Sequence, residues 1–197
     1  MTDDKKLIKK AQKGDANAFE TLILRYQNVV YSVAYRYAPS AEDAADMAQE
    51  IFLKMFRNIN TFKFKSKLST WIYRVAVNTC IDLVKRNKDD GNTYSIDNGY
   101  LDEDGLGYDE IADSSPGPDE IALQGEIKNA INSAISLLNI EYRTAIILRD
   151  IQGLTYDEIS EITDCSVGTV KSRISRARKN LREILSENRE LFEKYYV

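Results

Sequence analysis

Histidine is absent from the 197 residues, cysteine occurs twice and tryptophan once. With no imidazole and only Cys80 and Cys165, the chain lacks the donor set of a zinc site. The two thiols are expected to be reduced and structural. The commonest general base is missing too, and so is any glycine-rich phosphate loop. Asp43, Asp46 and Glu50 could hold Mg²⁺, as an enzyme such as a nuclease would require. No catalytic residue, metal or cofactor is therefore expected, and no small-molecule substrate. Nowhere is there a run of about 18 apolar residues, the length that spans a bilayer. The opening MTDDKKLIKKAQKGD has no apolar signal core, so a cytosolic protein is expected.

Net charge is −4, a poor balance for a nucleic-acid binder until it is divided along the chain. Residues 1–88 carry 16 Lys/Arg against 9 Asp/Glu, and residues 127–197 carry 11 against 10. Residues 89–126 between them hold 12 acidic side chains and no basic one. One acidic segment thus masks two non-acidic blocks.

The stretch TYDEISEITDCSVGTVKSRISRARKNLREIL, Thr155 to Leu185, reads as two helices and a short turn. Thr155 with Glu158 has the spacing of a capping box, and Ile159 and Ile162 give the first helix an apolar side. Asp164 and Cys165 make the turn, and Ser166 can cap the second helix. There Val170, Ile174, Ala177, Leu181 and Ile184 recur at four- and three-residue steps, a single buried face. Lys171, Arg173, Arg176, Arg178, Lys179 and Arg182 occupy the other faces, with no acidic residue from Ser166 to Arg182. This is the sequence form of a helix-turn-helix, whose second helix enters the DNA major groove. A purely solvated helix would be better served by mixed charges.

Upstream, helical spacing runs through residues 5–38 (Ala18, Leu22, Tyr26, Val29, Val30, Val33, Tyr37), with Asp15 a cap after Gly14. A second helix spans Ala41 to Ile59, capped by Ser40, with an apolar stripe at Ala44, Met47, Ala48, Ile51, Phe52 and Met55. Asp43, Asp46, Gln49 and Glu50 fall largely off that stripe and read equally as a solvated face. Thr61 to Lys67 is a loop alternating Phe62 and Phe64 with Lys63, Lys65 and Lys67. A helix follows from about Leu68 to Lys85, with Ile72, Val75, Ala76, Thr79 and Leu83 inward and Trp71, Tyr73, Arg74 and Asn78 along it. Interleaved rings and cations suit single-stranded nucleic acid, since bases stack on rings while cations hold phosphates; the rings would serve equally as core anchors.

Residues 87–120 lose all amphipathic period and read as a flexible acidic linker at a domain boundary. Tethered between basic domains, it could compete with nucleic acid for their surfaces. Helix resumes near Pro118, with Ile121, Ile127, Ile131, Ala134, Ile135 and Leu138 on one side. After a break at Asn139 and Ile140, a helix from Glu141 to Ile151 ends at Gln152 and Gly153. The tail SENRELFEKYYV could extend the last helix. The expected fold is all-α: a helical domain at 1–88, a linker at 89–117 and a helix-turn-helix domain at 118–197.

DAADMAQEIFLKMFRNI (43–59), FKFKSKLSTWIYRVAVNTCIDLVKR (62–86) and LRDIQGLTYDEISEITDCSVGTVKSRISRARKNLRE (148–183) together resemble a known family. They look like the bacterial RNA polymerase sigma factors of the compact, two-domain extracytoplasmic-function group. The first block resembles the polymerase-binding helix, typically D-A-E-D-L-x-Q-E-x-F. The second resembles the promoter-melting segment, and the third the reader of the −35 element. The resemblance implies a non-catalytic specificity subunit that binds core polymerase and promoter DNA. Asp43, Asp46, Gln49 and Glu50 would dock on a coiled coil of the largest polymerase subunit. Phe64, Lys65, Ser66, Trp71, Tyr73 and Asn78 would hold the melted −10 strand, with Asn78 beside a flipped base and residues 64–66 in the loop that pockets it. Arg149, Lys171, Ser172, Ser175, Arg176, Arg178 and Lys179 would contact the −35 duplex. The linker would follow the RNA channel, and the second domain the polymerase flap. An anti-sigma protein, often membrane-bound, is a further partner of this group. That partner would hold the chain at the inner membrane face.

Four departures stand out. Ala45 stands where the family often has Glu, Asp82 where some members have Asn near the −10 site, and Asn139 and Ile140 replace a usual Pro-rich start. The loop F-K-F-K-S-K-L is more basic than the common F-R-G-D-S. The alternatives from the residues alone are a free-standing DNA-binding regulator and a helical adaptor.

Overall fold

A computed structural model describes residues 3–89 and 118–187. The acidic linker falls almost wholly outside the described residues, and the tail lies outside them apart from its first two residues. Every regular element among the described residues is helical. They divide into two compact units, one centred on the first four helices and one on the last four.

In the first unit, α1 (Asp3–Ala11), α2 (Ala16–Tyr35), α3 (Ala41–Asn58) and α4 (Leu68–Asp89) follow in order. The continuous spacing of 5–38 predicts one helix; the structure has two. Gly14 sits at φ 88°, in the left-handed region that glycine enters without a Cβ penalty. Asp15 then caps α2, accepting from the Ala18 N–H at 3.1 Å. Ser40 caps α3 as expected, accepting from Asp43 N–H. Ile59 begins a 3₁₀ turn, Ile59–Thr61, in place of a last α-helical residue. α4 runs about a turn past the expected end at Lys85.

α3 packs on both α2 and α4, and α1 lies on α2. The core between them contains Leu22, Val30, Val33, Ile51, Met55, Ile72, Val77 and Cys80, all almost fully buried. Burial lifts the Cys80 thiol pKa from an ordinary 9.0 to about 12. Folding therefore favours the protonated thiol. That contribution is complete below pH 9 and is lost as pH rises toward 12. At about pH 8.5 iodoacetamide is expected to alkylate the half-buried Cys165 and spare Cys80 until denaturant is added. Peptide mass spectrometry reads this directly, and rapid native labelling of Cys80 would contradict the packing.

In the second unit, α5 (Pro118–Leu137), α6 (Ile140–Ile146), α7 (Tyr156–Thr163) and α8 (Val167–Glu187) follow. Asn139 makes the break before α6 a cap, accepting from Tyr142 N–H at 2.9 Å. The helix predicted from Glu141 to Ile151 stays α-helical only to Ile146. Ile147–Ile151 opens into a π turn, closed by Gln152 N–H to Ile147 C=O at 2.9 Å. Gly153, at φ 69°, ends it. Ile135, Leu138, Ile146 and Ala177 form the centre, with Ile131, Leu181 and Ile184 packed against them.

Candidate polymerase and promoter surfaces

α3 turns its apolar stripe inward, so its charged positions face outward. Asp46 and Gln49 are exposed, and Asp43 and Glu50 half-buried. Asp43 is partly committed within its own helix end, because the Ser40 hydroxyl donates to its carboxylate. Asp46 and Glu50 are one helical turn apart and form the acidic strip.

Beside this strip lies a feature the sequence reading missed. α2 and α3 enclose an open apolar groove of about 560 Å³, lined by Phe19, Ile23 and Tyr31 and by Ala45, Ala48, Gln49, Phe52, Leu53 and Phe56. Leu53 is 41% and Phe56 51% exposed. Phe56 meets Phe19 edge-on at 5.0 Å. Gln49 belongs to both surfaces, so acid strip and groove form one face of α3. The signal was present in the sequence: Leu53 and Phe56 are large apolar residues off the buried stripe, spaced i+4 and i+7 from Gln49. Ala45 lines the groove where the family pattern often has Glu, exchanging a charge for apolar wall.

In the loop before α4, exposure alternates: Phe62 and Leu68 are buried, Phe64 and Ser66 half-buried, Lys63, Lys65 and Lys67 exposed. The loop thus sorts its rings inward and its cations outward. Phe62 is the anchor, 5.0 Å from Phe64 and 5.8 Å from Trp71 between ring centroids. Phe64 holds φ 57°, an uncommon backbone for a bulky residue. Trp71 and Asn78 share a face of α4 at i, i+7, Trp71 half-buried and Asn78 exposed. Tyr73 does not join them. It is 7% exposed and belongs to the core, so its ring is not available to a base here. Asp82, one turn beyond Asn78, pairs with Lys54 at 3.5 Å.

The helix-turn-helix forms as its spacing predicts. Thr155 and Glu158 close the capping box. Asp164 ends α7 at φ 53°, a left-handed position that Asp tolerates, and Ser166 accepts from Thr169 N–H at 3.1 Å. Ile159, Ile162, Val170, Ile174 and Ala177 are buried. Cys165, in the turn, accepts from Arg173 at 3.0 Å, and Arg173 also pairs with Glu141 at 3.0 Å. Arg173 is thereby a strut between α6 and α8.

The cations expected at DNA sort into three groups. Arg149 and Lys171 lie over the Tyr156 ring, at 4.8 and 5.8 Å from its centroid. Arg149 also donates to Leu154 C=O at 2.7 Å, so the π turn and α8 converge on one ring. Arg178 is held by both carboxylate oxygens of Asp150, at 3.0 and 2.5 Å. That hydrogen bond raises its already high pKa. Lys179 reaches Glu183 at 3.9 Å. Ser172 donates to Thr169 C=O at 2.9 Å. Ser175 and Arg176 are exposed.

No cluster of three or more metal-binding side chains exists among the described residues. The α3 carboxylates are spread along a helix face. Among the described residues no helix is long and apolar enough to cross a membrane.

The chain is similar to known proteins over most of its length. Residues 22–89 match the family model for sigma-70 region 2, and residues 128–181 the model for sigma-70 region 4. The chain is 38% identical over 184 residues to the ECF RNA polymerase sigma factor SigW of Bacillus subtilis, covering 93% of this chain and 97% of that protein. Two solved structures share its fold. CnrH, solved with the cytosolic domain of CnrY, has a TM-score of 0.67 at 20% identity, over 93% of this chain and 97% of its own. The sigma factor RpoE of Bartonella quintana, solved with the anti-sigma factor NepR, has 0.60 at 22% over 85% and 96%. The chain belongs to the extracytoplasmic-function group of the sigma-70 family, the non-catalytic specificity subunits that bring RNA polymerase to promoters.

Proposed function

We propose that the first unit docks core polymerase and captures the melted −10 strand, while the second reads −35 duplex. The observation that carries this is the placement of two chemically different surfaces on two separate units. An apolar groove edged with acid belongs to the first, and a helix with exposed basic residues to the second.

The docking face comprises Asp46, Gln49 and Glu50, with Leu53 and Phe56 supplying the apolar centre. Interfaces take most of their energy from such desolvated anchors and gain orientation from the charged rim. Asp43 contributes at the edge, with its carboxylate shared with the Ser40 hydroxyl. The −10 surface comprises Phe64, Lys65, Ser66, Trp71 and Asn78, with Tyr73 supporting from the core. Unstacking a base costs a few kcal/mol; capture against the Phe64 and Trp71 rings offsets it by about 1–3 kcal/mol per base.

On the −35 surface, Lys171 and Arg176 have the chemistry to read guanine O6 and N7, and Ser172 and Ser175 to contact several bases. Arg149, Arg178 and Lys179 lie at phosphate positions. Each unit alone binds weakly, and a shared polymerase raises the effective concentration of the second. Residues 89–117 are the tether between domains at 1–88 and 118–197. The protein works in the cytoplasm. An anti-sigma protein covering the docking face is its natural inhibitor, the class of partner with which the Bartonella protein was solved.

The test is run-off transcription from a library of random upstream sequences, with core polymerase plus or minus the chain. A restricted two-element motif appearing only with the chain supports the reading. Silent core, with a duplex shifted by the chain alone, would transfer it to the free-standing regulators.

A further inference from the structure

One side chain in the short connection between α1 and α2 reaches far across the first unit. The Gln12 amide donates to Ile59 C=O at 3.0 Å and to Phe62 C=O at 2.9 Å. These acceptors lie 47 and 50 residues away in sequence. They are the carbonyls at the start and just past the end of the 3₁₀ turn Ile59–Thr61, where α3 gives way to the loop that carries Phe64. A helix end leaves carbonyls without intrahelical partners. Ile59 C=O also accepts from Phe62 N–H at 3.2 Å, while Thr61 turns its hydroxyl to Asn58 C=O at 2.7 Å.

Gln12 is itself held firmly. Its own N–H donates to Ile8 C=O at 2.9 Å. Ile8 and Ala11, just before it, are 2% and 5% exposed. Gly14 and the Asp15 N-cap fix the chain on its other side. Both amide hydrogens are thus aimed from a rigid base at the root of the loop. From that root Phe62 enters the core, and Phe64 follows with its left-handed backbone, ring to ring with Phe62 at 5.0 Å.

We infer that Gln12 is a positioning residue for −10 recognition: its two long-range hydrogen bonds set the Ile59–Phe62 backbone and so the place of the Phe64 ring that receives the unpaired base. The inference rests on the proposed role of the loop. It assigns the connection between α1 and α2 a part in promoter reading.

Gln12→Glu keeps the shape but replaces the donors with a carboxylate facing two carbonyls. Gln12→Met removes the donors without adding charge, and serves if the first variant folds poorly. Each full-length chain is assembled with core polymerase and titrated with single-stranded −10 oligonucleotides, intact or with one base removed at each position in turn. Wild type is expected to lose about tenfold or more in affinity when the captured base is missing, the scale of one stacked base. In the variants that penalty should fall below about threefold, because the ring no longer meets the base. Uniformly weaker binding with the penalty intact would mean a merely structural role and would overturn the inference. Absence of a penalty in wild type at every position would instead overturn the reading of the loop, and this inference with it.

Discussion

Arg176→Ala is expected to lower run-off transcription about 10- to 100-fold at promoters with an intact −35 element, the scale of one lost bidentate base contact. Arg176 is exposed on α8, and no described residue holds it by a hydrogen bond or ion pair. Among the described residues its guanidinium is therefore open to DNA. Arg178 is the contrast two residues on. It is clamped by Asp150 across 28 residues of sequence and must leave that carboxylate, or share it, to touch a phosphate. Arg178→Ala should change −35-dependent initiation less than about threefold, and stability by at most about 1 kcal/mol, as exposed pairs do. The two variants are separated by scrambling the −35 element. Arg176→Ala and wild type should then converge, since the contact has nothing to read. Equal activity of Arg176→Ala and wild type on the intact element would remove Arg176 from the interface.

The contrast between these two arginines shows where sequence reading ends. Capping is written locally: Thr155 with Glu158, Ser40 with Asp43 and Ser166 with Thr169 lie three residues apart, and all three form. Buried faces are legible for the same reason, because a 3.6-residue period depends only on spacing. Ile159, Ile162, Val170, Ile174 and Ala177 are buried as that period requires. The departures come from partners distant in sequence. Nothing near Arg178 announces Asp150, and nothing near Gln12 announces Ile59. Tyr73 carries a polar handle that reads as surface, yet it packs inward beside Ile72, Ala76 and Val77.

The π turn at Ile147–Ile151 shows another limit. A helical period continues through it, so the residues read as one helix. The extra residue in the turn, of a kind often found at functional sites, accompanies the approach of Arg149 to Tyr156. Residue types on the surfaces were therefore legible, whereas which cations remain available was decided by tertiary pairing. The groove falls between these cases. Its walls come from two helices, but Leu53 and Phe56 already stood off the buried stripe.

That groove supports the second large effect. Phe56→Asp is expected to reduce affinity for core polymerase about 30-fold or more, the scale of a central anchor. Phe56 is half-exposed and closes the groove against Phe19, so a carboxylate there would be desolvated without a partner on docking. Asp46→Lys, on the exposed rim beside it, should act differently. Rim charges govern encounter and register more than the held complex. A loss of about tenfold at low salt should shrink as the screening length falls from about 10 Å at 0.1 M toward 3 Å at 1 M. The Phe56 effect should persist across that range, because apolar burial is not screened. Binding titrations of labelled chain to core polymerase at several salt concentrations distinguish the two. Thermal melting should show both variants folded, since neither position contributes to the core of Ile51, Met55 and Ile72. Two losses with the same salt dependence would mean that the strip and the groove do not form one interface with an apolar centre and a charged rim. An unchanged affinity for Phe56→Asp would leave the groove to some partner other than polymerase.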